Sequence, residues 1–250
     1  MFERLRRNFV EKNYGPVALE LIVVIVGILI AFQIDRWADD RRERQQEYEY
    51  LIRLKEDLQF EIDGMSVAHE YAQSRIDAAM LLEKIIADSS VAREQPNNVP
   101  WALETVSWRS FPQIDAFVYS ELQNSGNLAV IESVSLRREL ANHYTTIHHY
   151  SRVGLDLDVQ RQFVLLTAGI LSTSEIRAIE EDEWREASFE VSVERAVEIA
   201  NSLSNRRDAS DLIPNIVQHH VFNQKVIGLA RDQALKIIDQ LELIIDNFDG

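Results

Sequence analysis

Residues 17–34, which read VALELIVVIVGILIAFQI, constrain the fold more than any other stretch of the chain. This run contains one charged side chain, Glu20, and one amide side chain, Gln33. As a helix it would be roughly 27 Å long, which matches the hydrocarbon core of a bilayer. The polar residues that follow it suit a membrane interface better than a signal-peptide cleavage site. We therefore expect a retained transmembrane helix over residues 17–37, with Trp37 as its interfacial anchor in the lipid bilayer.

One face of this helix combines its only charge with its smallest residues. Spacings of four and three residues place five side chains within about 40° of each other: Glu20, Val24, Gly27, Ala31 and Ile34. Gly27 and Ala31 form a small-xxx-small pair, which lets a second helix backbone approach closely inside a bilayer. We expect this association face to make the protein a homo-oligomer. Glu20 either faces a partner or a water-filled path, or it reaches the headgroups from the first turns.

The segment before the span, residues 1–16, is predicted to be a basic amphipathic helix. Phe2, Leu5 and Phe9 fall on one face, and basic side chains surround them, as in helices that lie on an anionic leaflet. Basic residues close to the two ends of the span are equal in number, so the positive-inside rule alone does not orient the chain. The basic N-terminal segment favours an N-terminus inside and a soluble domain outside.

The charge of the remaining chain excludes some classes of partner. The first 34 residues hold four basic and three acidic side chains, so from a total of −15 the rest of the chain carries −16. Such a surface repels nucleic acid, and no basic patch offsets the repulsion, so no nucleic-acid partner is expected. The chain has no cysteine, which excludes disulfides, thiolate catalysis and thiolate metal sites.

Beyond the span, a helical rhythm continues without proline to about Asp88. Residues 38–47 are too polar to be buried and are predicted to form a solvated stalk. Residues 48–250 then form an acidic helical soluble domain. An apolar stripe along this helix, from Tyr48 to Met65, is either a self-association seam or a face packed inside the domain. Packing inside the domain is the preferred interpretation.

The rest of the soluble domain is predicted to consist of helices and polar connections. A loop over residues 89–100 precedes a helix over residues 114–123, with Phe117 among its inward side chains. Further helices are expected over 133–171, 174–184, 191–203 and 213–245, with a polar loop over 206–211. No segment shows the alternation of apolar and polar residues that is typical of a β-strand. We expect an all-α fold, in which one N-terminal transmembrane helix continues into a long helix beside an antiparallel helical soluble domain.

The turn Asn124, Ser125 and Gly126 is predicted to cap the helix that precedes it. Gly126 suits a left-handed cap position, which a residue with a Cβ fills poorly. The same turn has a functional interpretation as a ligand-contacting site between two helices. The structural interpretation is preferred, because the cap requires glycine whatever the function.

Candidates for catalysis or metal binding are few. Glu139 and His143 lie four residues apart on one predicted helix, but a metal site needs three or four convergent ligands. His219 and His220 cannot both face one point from a single helix. Motifs of zinc proteases, serine hydrolases and phosphate-binding loops are missing from the sequence. We expect no catalytic residue, no metal and no cofactor, and thus not an enzyme.

Two stretches of the sequence resemble an uncharacterised family of bacterial single-span membrane proteins. ELIVVIVGILIAFQIDRW followed by EYLIRLKEDL is similar to the family's N-terminal signature, and YSELQNSGNLAVIESVSLRRELANHY is similar to its second signature. The matching positions are Glu20, Gly27, Gln33, Trp37, Ser125 and Gly126. The resemblance implies a bacterial inner-membrane anchor and a helical domain, and it implies no chemistry. With the orientation above, the N-terminus is cytoplasmic and the soluble domain periplasmic.

Three functional hypotheses follow from these observations. The first is a non-enzymatic, membrane-anchored helical protein that self-associates through its span and acts as an interaction or scaffold module. The second is an oligomeric channel or membrane-perturbing effector, in which Glu20 faces a pore. The third is an accessory subunit of a larger membrane complex, with other membrane proteins as its partners. Subunit number separates the first two, because two or three single spans do not readily enclose water.

Overall fold

The computed structural model describes residues 15–112, 114, 116–154, 158–181 and 190–248, with only the backbone at 15–18 and 153–154. Within these ranges the chain is helical and contains no strand, which confirms the all-α prediction. The amphipathic segment that we predict at the N-terminus lies outside the described residues, except for its last two positions.

Nine α-helices follow one another among the described residues. They are α1 (Gly15–Ala87), α2 (Asn98–Thr105), α3 (Phe117–Asn124), α4 (Val134–Gly154), α5 (Asp158–Thr167), α6 (Thr173–Glu181), α7 (Val193–Ser204), α8 (Arg207–Ser210) and α9 (Ile213–Asp246). Short 3₁₀ turns occupy Ser89–Arg93 and Asn127–Val130. The long N-terminal apolar helix is therefore present, and its end at Ala87 lies one residue from the predicted end.

The chain divides into two compact units, Met1–Tyr50 and Leu51–Gly250. The described part of the first unit is the N-terminal half of α1. The second unit contains the rest of α1 and all of the other helices.

In the second unit, the apolar stripe of α1 belongs to the core. Leu51, Leu54, Leu58 and Met65 are completely buried. Further along the same helix Leu82 and Ile85 are buried as well, whereas Met80 stays half exposed. The stripe therefore packs inside the domain, as preferred above, and its buried residues are not free to form a seam between copies.

A core cluster joins the end of α1 to the middle of the chain. It combines buried side chains of α2, α5, α7 and α8 with the start of α9; examples are Leu82, Trp101, Leu103, Phe163, Ile199, Leu203, Ala209 and Ile216. Elsewhere in the unit α9 packs along α4. Glu139 of α4 and Gln240 of α9 share a hydrogen bond of 2.7 Å across that contact.

Several predicted boundaries are wrong. The loop predicted over residues 89–100 contains a 3₁₀ turn and the start of α2. Pro100 is compatible with α2 because it lies in the first turn, where its missing N–H breaks no helical hydrogen bond. Phe117, which we expected to point inward, is 70% exposed at the first position of α3.

The single helix predicted over residues 133–171 corresponds to α4 and α5, and residues 155–157 between them lie outside the described residues. Gly169 follows α5 with a φ of 77°, so the chain leaves the helix through a left-handed residue. The polar loop predicted over residues 206–211 contains the one-turn helix α8. This helix was not predicted because so short and polar a segment shows no hydrophobic periodicity.

Candidate functional site

The predicted association face lies on the exposed part of α1 in the first unit. All of its five members, Glu20, Val24, Gly27, Ala31 and Ile34, are exposed. The large apolar side chains of residues 19–34 are each between 47% and 64% exposed. An 18-residue window here has a mean hydropathy of 2.0 and is 0% buried. By length and composition this helix could cross a membrane.

Gly27 is surrounded by open space. A Cβ built at this position meets no atom within 4 Å. Within one copy of the protein, a Cβ at residue 27 would therefore have no close neighbour. Any effect of a larger residue there on assembly has to arise from contact with a second molecule.

The same helix also carries a shallow groove of about 440 Å³, which shares Ile34 with the association face. Its walls are Val26, Leu29, Ile30, Gln33, Ile34 and Trp37. Trp37, the predicted interfacial anchor, is exposed, and the Arg41 guanidinium lies 5.7 Å from its ring centroid. This pairing of an aromatic ring with a cation suits the polar boundary of a bilayer.

The turn after α3 has the backbone geometry of a helix cap. Ser125 N donates to Glu121 O at 3.0 Å, and Gly126 follows with a φ of 75°. Nothing lies within 4 Å of a Cβ built at Gly126, so the backbone conformation alone disfavours other residues. A ligand-contacting role for Asn124 and Ser125 has no further support in the described contacts.

The histidine candidates of the sequence do not converge on a metal site. His143 points to α1, where its Nε2 lies 3.4 Å from Glu61 Oε2, while Glu139 binds Gln240 instead. Both His143 and Glu61 are buried. Across the described part of the chain, no group of three or more His, Cys, Asp or Glu side chains is placed to hold a metal ion.

The buried Glu61–His143 pair is surrounded by aromatic side chains. Tyr119 of α3 stacks on Tyr144 of α4 with ring centroids 4.6 Å apart. Burial, with a smaller effect of the Glu61 charge, raises the pKa of Tyr144 above its usual range. The pair therefore lies buried between α1 and α4, where Tyr144 also contacts His143.

A second polar network, which the sequence did not indicate, joins α9 to the segment after α2. His220 Nε2 lies 2.9 Å from Val106 O, and because a carbonyl only accepts, Nε2 carries the proton. Nδ1 then accepts from the Ser110 hydroxyl at 2.9 Å, and Asn223 Nδ2 donates to Ser110 Oγ at 3.3 Å. Burial is the main cause that lowers the pKa of His220 to about 4.

This serine–histidine contact is enclosed by the fold. Ser110, His220 and Asn223 are all buried, so a substrate cannot reach the hydroxyl in this conformation. The bond from His220 Nε2 to Val106 O fixes the orientation of the imidazole, and Nδ1 faces the Ser110 hydroxyl. The network orients the segment between α2 and α3 against α9.

Arg75 of α1 is the most unusual side chain in the second unit. It is 2% exposed, and its Cζ lies 5.7 Å from the Tyr71 ring centroid and 5.1 Å from that of Trp108. Its Nη1 donates to Ser74 Oγ at 3.2 Å, and its Nε has no hydrogen-bond partner. No described carboxylate pairs with it.

A polar cleft of about 550 Å³ lies beside α8, between Leu166 and residues 204–209. Arg206 is its central cation. Its Nη1 donates to Leu166 O at 2.6 Å and to Ala168 O at 2.9 Å, which satisfies one carbonyl in the last turn of α5 and one just after the helix. Capping of α5 therefore accounts for the presence of Arg206 in this cleft, and no ligand is needed to explain it.

Comparison with protein-family models, with curated proteins and with solved structures finds no match to this chain. The resemblance to bacterial single-span membrane proteins thus stays a prediction that depends on its sequence motifs.

Proposed function

We propose that this protein is a non-enzymatic, membrane-anchored helical protein that associates with copies of itself and acts as an interaction or scaffold module. Residues 17–37 would cross the bilayer once, and the acidic domain would present its surface to partners. In a bacterium, the proposed location is the inner membrane, with the N-terminus cytoplasmic and the domain periplasmic.

The observation that carries this proposal is the exposure of the apolar half of α1. A core helix of a soluble protein buries its apolar side chains, but here the most apolar window is 0% buried. Burial of this surface in lipid stabilises by about 25 cal/mol for each Å² removed from water. Exposed in water, such a surface would instead drive aggregation.

Self-association is proposed through the face that contains Glu20, Gly27 and Ala31. The open space at Gly27 is compatible with a close neighbour on this side. Packing between small residues replaces the hydrophobic effect inside a bilayer, where lipid and side chain are equally apolar. The channel hypothesis uses the same face, but it requires enough copies of Glu20 to surround a water-filled path.

The test is the mass of the detergent-purified particle and its response to substitutions at Gly27. Gly27→Leu is expected to shift the particle towards monomer, because the leucine would separate backbones held close at Gly27 and Ala31. Gly27→Ala is the matched control, since it keeps a small residue and should preserve the oligomer. If Gly27→Leu leaves the mass unchanged, association does not use this face.

The measured copy number separates the hypotheses. A dimer or trimer supports the scaffold, whereas a larger ring supports the channel. A monomer that co-purifies in a defined ratio with another membrane protein supports the accessory subunit. Membrane insertion itself is tested by alkaline extraction of membranes: release of the full chain into the soluble fraction would contradict the anchor.

A further inference from the structure

We propose that Arg75 anchors a binding site for a small organic carboxylate, with Tyr71, Ser74 and Trp108 as its rim. The proposal concerns the second unit alone. It does not depend on membrane association. Its experiment can therefore fail while the proposed function stands, and the proposed function can fail while the carboxylate site stands.

The first step is the missing counter-ion. Six other described arginines each pair with a carboxylate, and each has a more exposed side chain than Arg75: Arg42, Arg53, Arg161, Arg177, Arg195 and Arg231. In a chain with 41 acidic residues, carboxylates are plentiful. Arg75 is buried and therefore needs a counter-ion most, yet no described carboxylate supplies one.

The second step is the charge state of the guanidinium. Burial lowers the pKa of Arg75 to about 10, and the neighbouring Tyr71 opposes this shift. No carboxylate contributes to the shift, which agrees with the absence of an ion pair in the described contacts. At neutral pH the side chain therefore carries its full charge in the interior, and a bound anion would relieve the cost of that burial.

The third step is access from solvent. Tyr71, Ser74 and Trp108, the three side chains that contact the guanidinium, are each only partly buried. The charge therefore lies one layer beneath the surface, under a rim that a change of rotamer could open. Because the Arg75 side chain is only 2% exposed, a protein surface could not reach it, and its ligand would have to be a small molecule.

The chemistry of the site selects a carboxylate. A guanidinium presents parallel N–H groups that match the two oxygens of a planar carboxylate, and Nε is free to donate. The rings of Tyr71 and Trp108 provide flat apolar walls for the body of the ligand. A flat or apolar monocarboxylate fits both features better than phosphate, which would bring more negative charge and no apolar surface.

The experiment measures thermal unfolding of the detergent-purified full chain with sodium benzoate, sodium acetate or sodium phosphate at constant ionic strength. Benzoate is expected to raise the melting temperature in a saturable way, because a ligand that binds the native state stabilises it. Arg75→Met should lose this shift, and Arg75→Lys should weaken it, since an ammonium lacks the planar fork. Arg161→Met, which removes an exposed cation, is the matched control and should keep the shift.

A measurement on the unchanged chain makes the test independent of how Arg75→Met folds. In ligand-observed NMR, benzoate should receive saturation from the protein, and acetate should compete with it. No saturable response to either carboxylate would overturn the proposal, as would an equal response in Arg75→Met. A response to phosphate as strong as that to benzoate would overturn the assignment of the ligand as a carboxylate.

Discussion

At the scale of single residues, the same substitution is expected to have opposite effects at two glycines. Gly64 is exposed in the interior of α1, whereas Gly126 has a φ of 75° after α3. A Cβ meets no atom within 4 Å at either position, so steric clashes do not decide the outcome. What differs is the backbone conformation that each glycine adopts.

Gly64→Ala is expected to stabilise the domain by about 0.5–1 kcal/mol, because alanine loses less backbone entropy in a helix. Gly126→Ala is expected to destabilise it by about 1 kcal/mol, because a Cβ is unfavourable in the left-handed region. Melting temperatures of both variants, measured against the unchanged chain, check the two signs. Shifts in the same direction would contradict the backbone argument. Loss of partner binding by Gly126→Val without loss of stability would make the turn a recognition site.

His220 makes a second prediction at this scale, in the dependence of stability on pH. Its pKa is about 4 in the folded protein and 6.5 when unperturbed, so between these values the unfolded chain binds more protons. The contribution of neutral His220 to the free energy of unfolding is fully present above pH 6.5. It decreases as the pH falls to about 4, by up to about 3 kcal/mol. Denaturant titrations between pH 7 and 4.5 measure the slope.

His220→Gln is the matched variant for this slope, because glutamine can hydrogen-bond but does not titrate. Its free energy of unfolding should be lower at pH 7, since the bonds to Ser110 and Val106 are weakened. Its dependence on pH between 6.5 and 5 should be flatter. Glu175 is not expected to interfere, because the hydrogen bond from Arg195 lowers the pKa of Glu175 to about 2 and moves its effect to more acidic solution. Equal slopes in the two proteins would assign the pH dependence to another group.

At the scale of elements, α3 is capped by a residue from another helix. Ala116, at its N-cap, offers no side-chain hydrogen bond. Instead Asp57 of α1 accepts from Val118 N through Oδ2 at 2.8 Å, and Arg53 of α1 forms an ion pair with Glu121 near the other end. A carboxylate at a helix N-terminus satisfies a free N–H and also complements the helix dipole.

Asp57→Ala is therefore expected to destabilise the second unit by about 1–2 kcal/mol, as loss of an N-cap does. Asp57→Asn should retain part of the stabilisation from the cap, because the amide oxygen can still accept a hydrogen bond although the charge is lost. Asp63→Ala, on an exposed position of the same helix, is the control and should change stability by less than about 0.5 kcal/mol. A similar loss in both alanine variants would refute a cap supplied by α1.

Elements with strong periodicity were predictable from the sequence, and the cross-chain contacts were not. The end of α1 and the start of α9 at Ile213 agree with the sequence because apolar spacing and Pro214 mark them. Helix α2 was missed because Asn and Pro near its start are typical of loops. Asp57 and Arg75 gave no signal, since their contacts with Val118 and Trp108 span more than thirty residues in sequence, and pairing over such distances leaves no local pattern.

At the scale of the whole molecule, the proposed membrane anchor raises the question of the side on which the acidic domain lies. The chain has no cysteine of its own, so the unchanged protein is a blank for thiol labelling. Asn97, in the loop predicted from the sequence, is a poor site for a new cysteine. Its Oδ1 accepts from Val191 N at 2.9 Å, and the residue is only partly exposed. Glu94, three residues earlier, is exposed and suits labelling better.

Glu94→Cys is expected to react with a membrane-impermeant maleimide in cells whose outer membrane alone has been permeabilised. The reason is the basic segment before the span, which favours the cytoplasm and leaves the domain on the other side. Lys12→Cys, which precedes the span in sequence, should react only after the inner membrane is broken, and it serves as the reciprocal control. The opposite pattern would place the acidic domain in the cytoplasm. Labelling of both positions in cells with an intact inner membrane would contradict a single crossing between residues 17 and 37.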